Sequence, residues 1–215
     1  MKKIINIFFD LDGTLYSFDT EKFKDSSLKK DIHKNIYKLI TKLKVNNPEI
    51  LLQEMEKEYG EDFSIAFEKN FNITKDYFFS ETWNNNPKNH IKITDNIKKI
   101  FKDLNSKGYC LYIVSDAPKI WIDKVIKFLG IKSYIKDIFS GEGDNRKSNG
   151  KLYEHIKKVI FGKNIMVGDQ EFSDIIQAKK YDFIPIFISR TGKISKYAKF
   201  NIKSLEEIYK ISEII

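Results

Sequence analysis

Ile4-Ile5-Asn6-Ile7-Phe8-Phe9-Asp10-Leu11-Asp12-Gly13-Thr14-Leu15-Tyr16 is the stretch from which the rest of the chain is read. Ile4 to Phe9 is apolar at all positions but one and rich in β-branched and aromatic residues, which suits a central strand covered on both faces. Gly13 and Thr14 then break the strand. Side chains alternate along a strand, so Asp10 and Asp12 point the same way if the extension persists through Leu11. Two carboxylates that close repel each other unless a cation, a proton or a shared substrate stabilises them. Mg²⁺ is the simplest supplier, because it takes oxygen ligands and is commonly held by one or two carboxylates. An acidic turn, with the Asp side chains capping a bend before Gly13, is the plainer alternative.

Beyond Tyr16 the pattern becomes helical for some seventy residues. Phe23, Leu28, Ile32, Ile36, Leu39 and Leu43 mark one amphipathic helix or two joined by a kink. Asn47-Pro48 reads as an N-cap and first helical position, and the next stripe runs to Gly60. Phe63, Phe67 and Phe71 follow at four-residue steps, then Tyr77, Phe78, Phe79 and Trp83. That step fits the core of a small helical bundle, while a face on which a nucleobase stacks is the alternative. Tyr16 and Trp83 are expected to be better placed to meet a substrate than the stripe is. A helical block this size between strands predicts an inserted subdomain over residues 17–91, with residues 1–16 and 92–215 forming the core.

From Thr94 the chain alternates. A helix opened by Thr94 leads to a strand at Cys110–Val114, a helix near Lys119–Leu129, a short strand at Asp137–Ser140 and a charged loop from Gly141 to Gly150. A helix from Lys151 to Ile160, a strand at Asn164–Val167, a helix near Asp174–Lys180 and a strand at Phe183–Ile188 follow. Ser204-Leu205-Glu206-Glu207 reads as the capping box of a last helix. This alternation predicts an α/β fold, a doubly wound parallel sheet with right-handed crossovers and an inserted all-helical subdomain.

A chain of 215 residues can bury a real core, and at 32% charged residues it reads as a soluble globular protein. No run of eighteen apolar residues is available for a membrane span, and the basic start Met1-Lys2-Lys3 lacks the features of a signal peptide. Cys110 is the single cysteine, so a disulfide within the chain is impossible, which fits a cytoplasmic protein. The net charge of +8 could attract anions, yet 38 Lys and Arg interleave with 30 Asp and Glu. Without a basic stripe no nucleic-acid partner is expected. His33, His90 and His155 show no ligand spacing and read as surface or structural residues.

In open α/β sheets ligands bind at the carboxyl ends of strands, and each unusual polar cluster sits at such an end. Asp10 and Asp12 follow the first strand, Ser115 and Asp116 the second, Asp169 the fourth. Taken together, Asp10-Leu11-Asp12-Gly13-Thr14-Leu15, Ser115-Asp116, Lys147-Ser148-Asn149-Gly150-Lys151-Leu152-Tyr153 and Gly168-Asp169-Gln170-Glu171-Phe172-Ser173-Asp174 resemble, in order, the four signatures of the haloacid dehalogenase superfamily. Asp116 stands where Asn is often found, and the third signature lacks its prolines. Lys147 fits the spacing to Leu152-Tyr153, and Lys151 is its competitor.

The resemblance implies a Rossmann-like core, a helical cap that closes over the site, and phosphatase chemistry. In those terms Asp10 is the nucleophile, Asp12 the general acid and base, and Lys147 the charge that neutralises phosphate. Ser115 and Asp116 meet the phosphate, while Asp10, Asp12, Asp169 and Asp174 serve an Mg²⁺ site. The expected substrate is a small phosphorylated metabolite, nucleotide or sugar phosphate, turned over by a monomer or homodimer with no membrane partner. Haloacid dehalogenation is disfavoured by the presence of Asp12. A phospho-accepting receiver domain is the alternative in another class, but there the phosphorylated Asp lies on a later strand than the acidic pair. An inactive binding member of the family is a third reading.

Overall fold

The computed structural model describes residues 4–20, 23–60, 62–142 and 145–212. The basic start Met1-Lys2-Lys3, and Gly143 and Asp144 of the charged loop, lie outside them. In chain order, β1 (Ile5–Phe9) and the short β2 (Ser17–Phe18) precede helices α1 (Ser27–Lys42), α2 (Pro48–Tyr59), α3 (Phe63–Phe71) and α4 (Lys75–Thr82). Then come β3 (Ile91–Lys92), α5 (Ile97–Ser106), β4 (Cys110–Ser115), α6 (Lys119–Phe128), β5 (Ile135–Ser140), α7 (Lys151–Val159) and β6 (Lys163–Gly168). A π-helical segment, Glu171–Ile176, runs into α8 (Gln177–Lys180), followed by β7 (Ile184–Ile188), β8 (Phe200–Ile202) and α9 (Ile208–Ser212). The chain forms two compact units, one from residues up to 18 and from 91 onward, the other from 19 to 90.

The first unit carries a six-stranded sheet in the order β5-β4-β1-β6-β7-β8. Every neighbouring pair is parallel, and β1 lies between β4 and β6. Alternation divides its residues between the two faces. Phe8 stacks on Tyr112 at 4.7 Å and packs with Leu152, Tyr153 and Ile156 of α7. Phe9 meets Phe101 of α5 at 4.8 Å on the opposite face. Helices therefore cover both sides, as a continuous apolar strand requires. Each fully buried ring of this kind contributes about 1.5–3 kcal/mol through lost contact with water. Asn6, the one polar residue of the strand, is satisfied by donating its amide to Asn164 Oδ1 at 2.8 Å and to the Phe161 carbonyl at 3.0 Å.

β8 is a strand without a counterpart in the sequence pattern, since only Ile202 of its three residues is buried. Two expected caps differ. α5 is capped by Asn96, whose side chain accepts from Lys99 N–H, while Thr94 instead accepts a hydrogen bond from Arg190. Ser204 makes no side-chain cap bond, because Glu207 accepts from the Lys203 N–H rather than reaching back to Ser204.

The second unit is all helical, with α1 packed on α2 and α4, and α3 packed on α2 and α4. α1 is one unbroken helix whose N-cap Ser26 accepts from Lys29 N–H. Asn47 occupies the N-cap of α2 in a left-handed conformation with no side-chain cap bond, so Pro48 alone marks the start. Phe63, Phe67 and Phe78 are buried in this unit's own core, with Phe67 5.0 Å from Phe78. Trp83 stacks on Phe23 at 6.1 Å. His90 is buried, 2.9 Å from the Ser27 hydroxyl, a structural position. Among the described residues no helix is long and apolar enough to cross a membrane.

Candidate active site

The strand β1 does not extend through Leu11. The Asp10 N–H still reaches the Val167 carbonyl at 2.9 Å, but the chain then turns, with Leu15 N–H donating to Leu11 C=O at 3.0 Å. The carboxylates that meet are Asp10, Asp169 and Asp174, which each offer an oxygen within 4.8 Å of the others. Asp12 stands outside this trio. Its Oδ1 accepts a hydrogen bond from the hydroxyl of Tyr16, which in turn accepts from Trp121 Nε1 at 2.9 Å. Tyr16 is thus a fully buried partner of Asp12 rather than a ring presented to substrate.

Lys147 is the hub of the trio. Its ammonium lies 2.5 Å from Asp10 Oδ1 and 2.7 Å from Asp174 Oδ1, with all three side chains at 2% exposure or less. Lys151 is exposed at the start of α7. The loop carrying Lys147 is tied down by Asp116, whose Oδ1 accepts the Lys147 backbone N–H at 2.9 Å. Ser115 Oγ accepts from Ala117 N–H at 3.1 Å, which leaves its own proton available to a ligand. Thr14 donates to Asp10 Oδ2 at 3.1 Å, and Asp174 Oδ2 accepts from Gln170 N–H at 3.0 Å. The backbone makes this convergence possible, because Gly168 leaves room for Asp174, whose Oδ2 would lie 2.3 Å from a Cβ at that position.

Burial sets the electrostatics. It raises Asp169 to about 8, helped by the negative charges of Asp10 and Asp174. Asp174 rises to about 6 for the same first reason, held back by Lys147. Burial, then repulsion from Asp10, lifts Asp12 to about 7, with Lys147 and the Trp121 indole opposing. Burial also pulls on the Lys147 ammonium, but the charges of Asp10 and Asp174 more than reverse that and raise it well above the ordinary lysine value. One cation does not neutralise three carboxylates. Asp169 Oδ1 is also buried without a hydrogen-bond partner, an arrangement that a bound cation would satisfy. The donor set is all oxygen, the preference of a hard divalent ion, so the residues present fit such a group.

Arg190, just beyond β7, was not signalled as a site residue. It donates to the carbonyls of Gly13 at 2.6 Å and Thr14 at 2.8 Å, and to Asp95 at 2.6 Å. Its place after an apolar strand was the available signal, since that is where this kind of sheet collects its polar groups.

A parallel α/β sheet carries an acidic, lysine-bridged centre at the carboxyl edge of its strands. The profile of the haloacid dehalogenase-like hydrolases matches residues 6–182, and the chain belongs to that family. Solved structures of similar fold include a haloacid dehalogenase-type (HAD) phosphatase from Thermococcus onnurineus, with a TM-score of 0.64 and 21% identity over 97% of this chain and 98% of that one. Another is a 2-haloacid dehalogenase from Pseudomonas syringae pv. Tomato, with a TM-score of 0.61 and 16% identity over 98% and 99%. YfnB from Bacillus subtilis, described as a HAD-hydrolase and solved bound to magnesium, aligns with a TM-score of 0.60 and 16% identity over 99% and 100%. No curated protein matches the chain in sequence.

Proposed function

We propose that this hydrolase cleaves phosphomonoesters of a small metabolite through an aspartyl-phosphate on Asp10, with the aid of a divalent cation such as Mg²⁺. The observation that carries the reading is Asp10 itself, a buried carboxylate fixed by Lys147 on one oxygen and by Thr14 on the other. A nucleophile held in this way loses little freedom on reaching the transition state. Asp10, Asp169 and Asp174 would hold the cation. When bound it would offset the repulsion between the phosphate dianion and the attacking carboxylate.

The remaining roles follow from position. An oxygen of Asp10 attacks phosphorus, the ester P–O bond breaks, and Asp12 gives its proton to the departing alcohol oxygen. Water then attacks the phosphorus of the aspartyl-phosphate while Asp12 takes its proton, which restores Asp10 and releases inorganic phosphate. Lys147 and the Ser115 hydroxyl would meet the phosphate oxygens. Asp12 also separates this reading from dehalogenation, since a halide departs as a stable anion and needs no acid. Nucleotides and sugar phosphates are the substrate classes to compare, with the helical unit as the part that chooses between them.

Hydrolysis of p-nitrophenyl phosphate by wild type, Asp10→Asn and Asp12→Asn, each with Mg²⁺ and with EDTA, tests the proposal. Turnover by wild type with Mg²⁺ and none in the other arms is expected. Undiminished activity in EDTA or in Asp10→Asn overturns it.

A further inference from the structure

The phosphatase reading gives Asp12 a proton to move but does not say what keeps its carboxylate in place. Tyr16 donates to its Oδ1 and Trp121 donates to Tyr16, and both rings have 0% exposure. An indole nitrogen can only donate, so Trp121 Nε1, 2.9 Å from the Tyr16 hydroxyl, occupies a lone pair of that oxygen. The single phenolic proton is directed to Asp12 Oδ1. The donor chain therefore runs one way, from Trp121 through Tyr16 to Asp12. A phenylalanine at position 16 would fill almost the same volume, so packing alone does not require the hydroxyl. Trp121 sits in the first turn of α6, the helix that follows Ser115 and Asp116, so the chain of donors links two strand ends that meet at the site.

We infer that Tyr16 and Trp121 are positioning residues for departure of the alcohol: through Oδ1 they hold the Asp12 carboxyl in the orientation from which it exchanges the proton. This rests on the phosphatase reading and adds to it a prediction about leaving groups. An aryl phosphate releases a stable phenolate and depends little on an acid, whereas an alkyl phosphate depends on it strongly. The second-order constant kcat/KM covers the steps up to loss of the alcohol and excludes the later hydrolysis of the aspartyl-phosphate.

The test is kcat/KM for p-nitrophenyl phosphate and for the best alkyl phosphate of a substrate panel, in wild type and Tyr16→Phe, with Tm measured for both proteins. Tyr16→Phe is expected to lower the alkyl value relative to the aryl value by at least about tenfold. Trp121→Phe, which removes the donor that directs the hydroxyl, should move the same ratio the same way by less, and keeps the test open if Tyr16→Phe fails to fold. Equal losses on both esters, or no loss, overturn the inference even with the phosphatase reading intact. Failure of wild type to cleave either ester overturns both.

Discussion

A Cβ atom on Gly13 would stand 2.1 Å from Asp169 Oδ2, so the turn after β1 and the loop after β6 touch where only a hydrogen fits. Gly13 also has φ +82°, a conformation side chains rarely adopt. Gly13→Ala is expected to cost about 1–3 kcal/mol of stability from the strained backbone. It should also lower kcat/KM on the order of 100-fold by displacing Asp169. Thermal melting with and without Mg²⁺, alongside the phosphatase assay, measures both. A variant with wild-type activity would mean that the contact does not set the site.

Lys147 and Lys151 are separated by geometry. Lys147→Ala leaves Asp10 and Asp174 buried without their shared cation, and should raise the barrier by about 3–4 kcal/mol, as loss of a preorganised charge does. Melting temperature falls with it, since an uncompensated buried charge remains. Exposed Lys151→Ala should change stability by less than about 0.5 kcal/mol and activity little. The reverse ranking in kcat would transfer the proposed phosphate-neutralising role to Lys151.

Stability should depend on pH and metal together. Asp169 goes from 3.8 to about 8, so within that window the folded chain holds more protons than the unfolded one. Stability contributed by the protonated carboxyl is present at low pH and lost as pH rises through the window. Asp174, raised to about 6, adds to the lower half. A divalent cation supplies the charge that the lost protons supplied. Added Mg²⁺ should therefore raise Tm more at about pH 8 than at about pH 5. Equal shifts at both values would count against the acidic trio as the binding site.

Arg190→Ala removes the donors that hold the Gly13 and Thr14 carbonyls, and Thr14 in turn holds Asp10. Loss of these charged hydrogen bonds should cost about 1.5–3 kcal/mol of stability. kcat is expected to fall more than KM rises, because the damage is to alignment of Asp10, the proposed nucleophile. Arg190→Lys should recover little, since one ammonium cannot span both carbonyls and Asp95 as the planar fork does. Recovery of full activity in Arg190→Lys would reduce the residue to a point charge.

The class of fold lay open in the sequence because buried parallel strands are apolar without interruption, and runs such as Ile4–Phe9 and Cys110–Val114 leave few other readings. Their polar ends were equally legible, since a strand that stops in Asp10, Ser115 or Asp169 places those residues at one edge of the sheet. β8 was not, because an edge strand of three residues with one buried side chain carries no pattern. Caps at Thr94 and Ser204 misled because short polar side chains have several partners within reach, and the fold selects among them. That Asp12 stands outside the trio of Asp10, Asp169 and Asp174 could not be read from alternation, because the chain turns after β1, with Leu15 N–H donating to Leu11 C=O. Arg190 meets Gly13 across 177 residues of chain. The sequence by itself determined which residue types stand at the strand ends. Only the tertiary structure decided which carboxylates meet, which lysine joins them and which rings hold Asp12, because those contacts depend on distances between elements that periodicity does not encode.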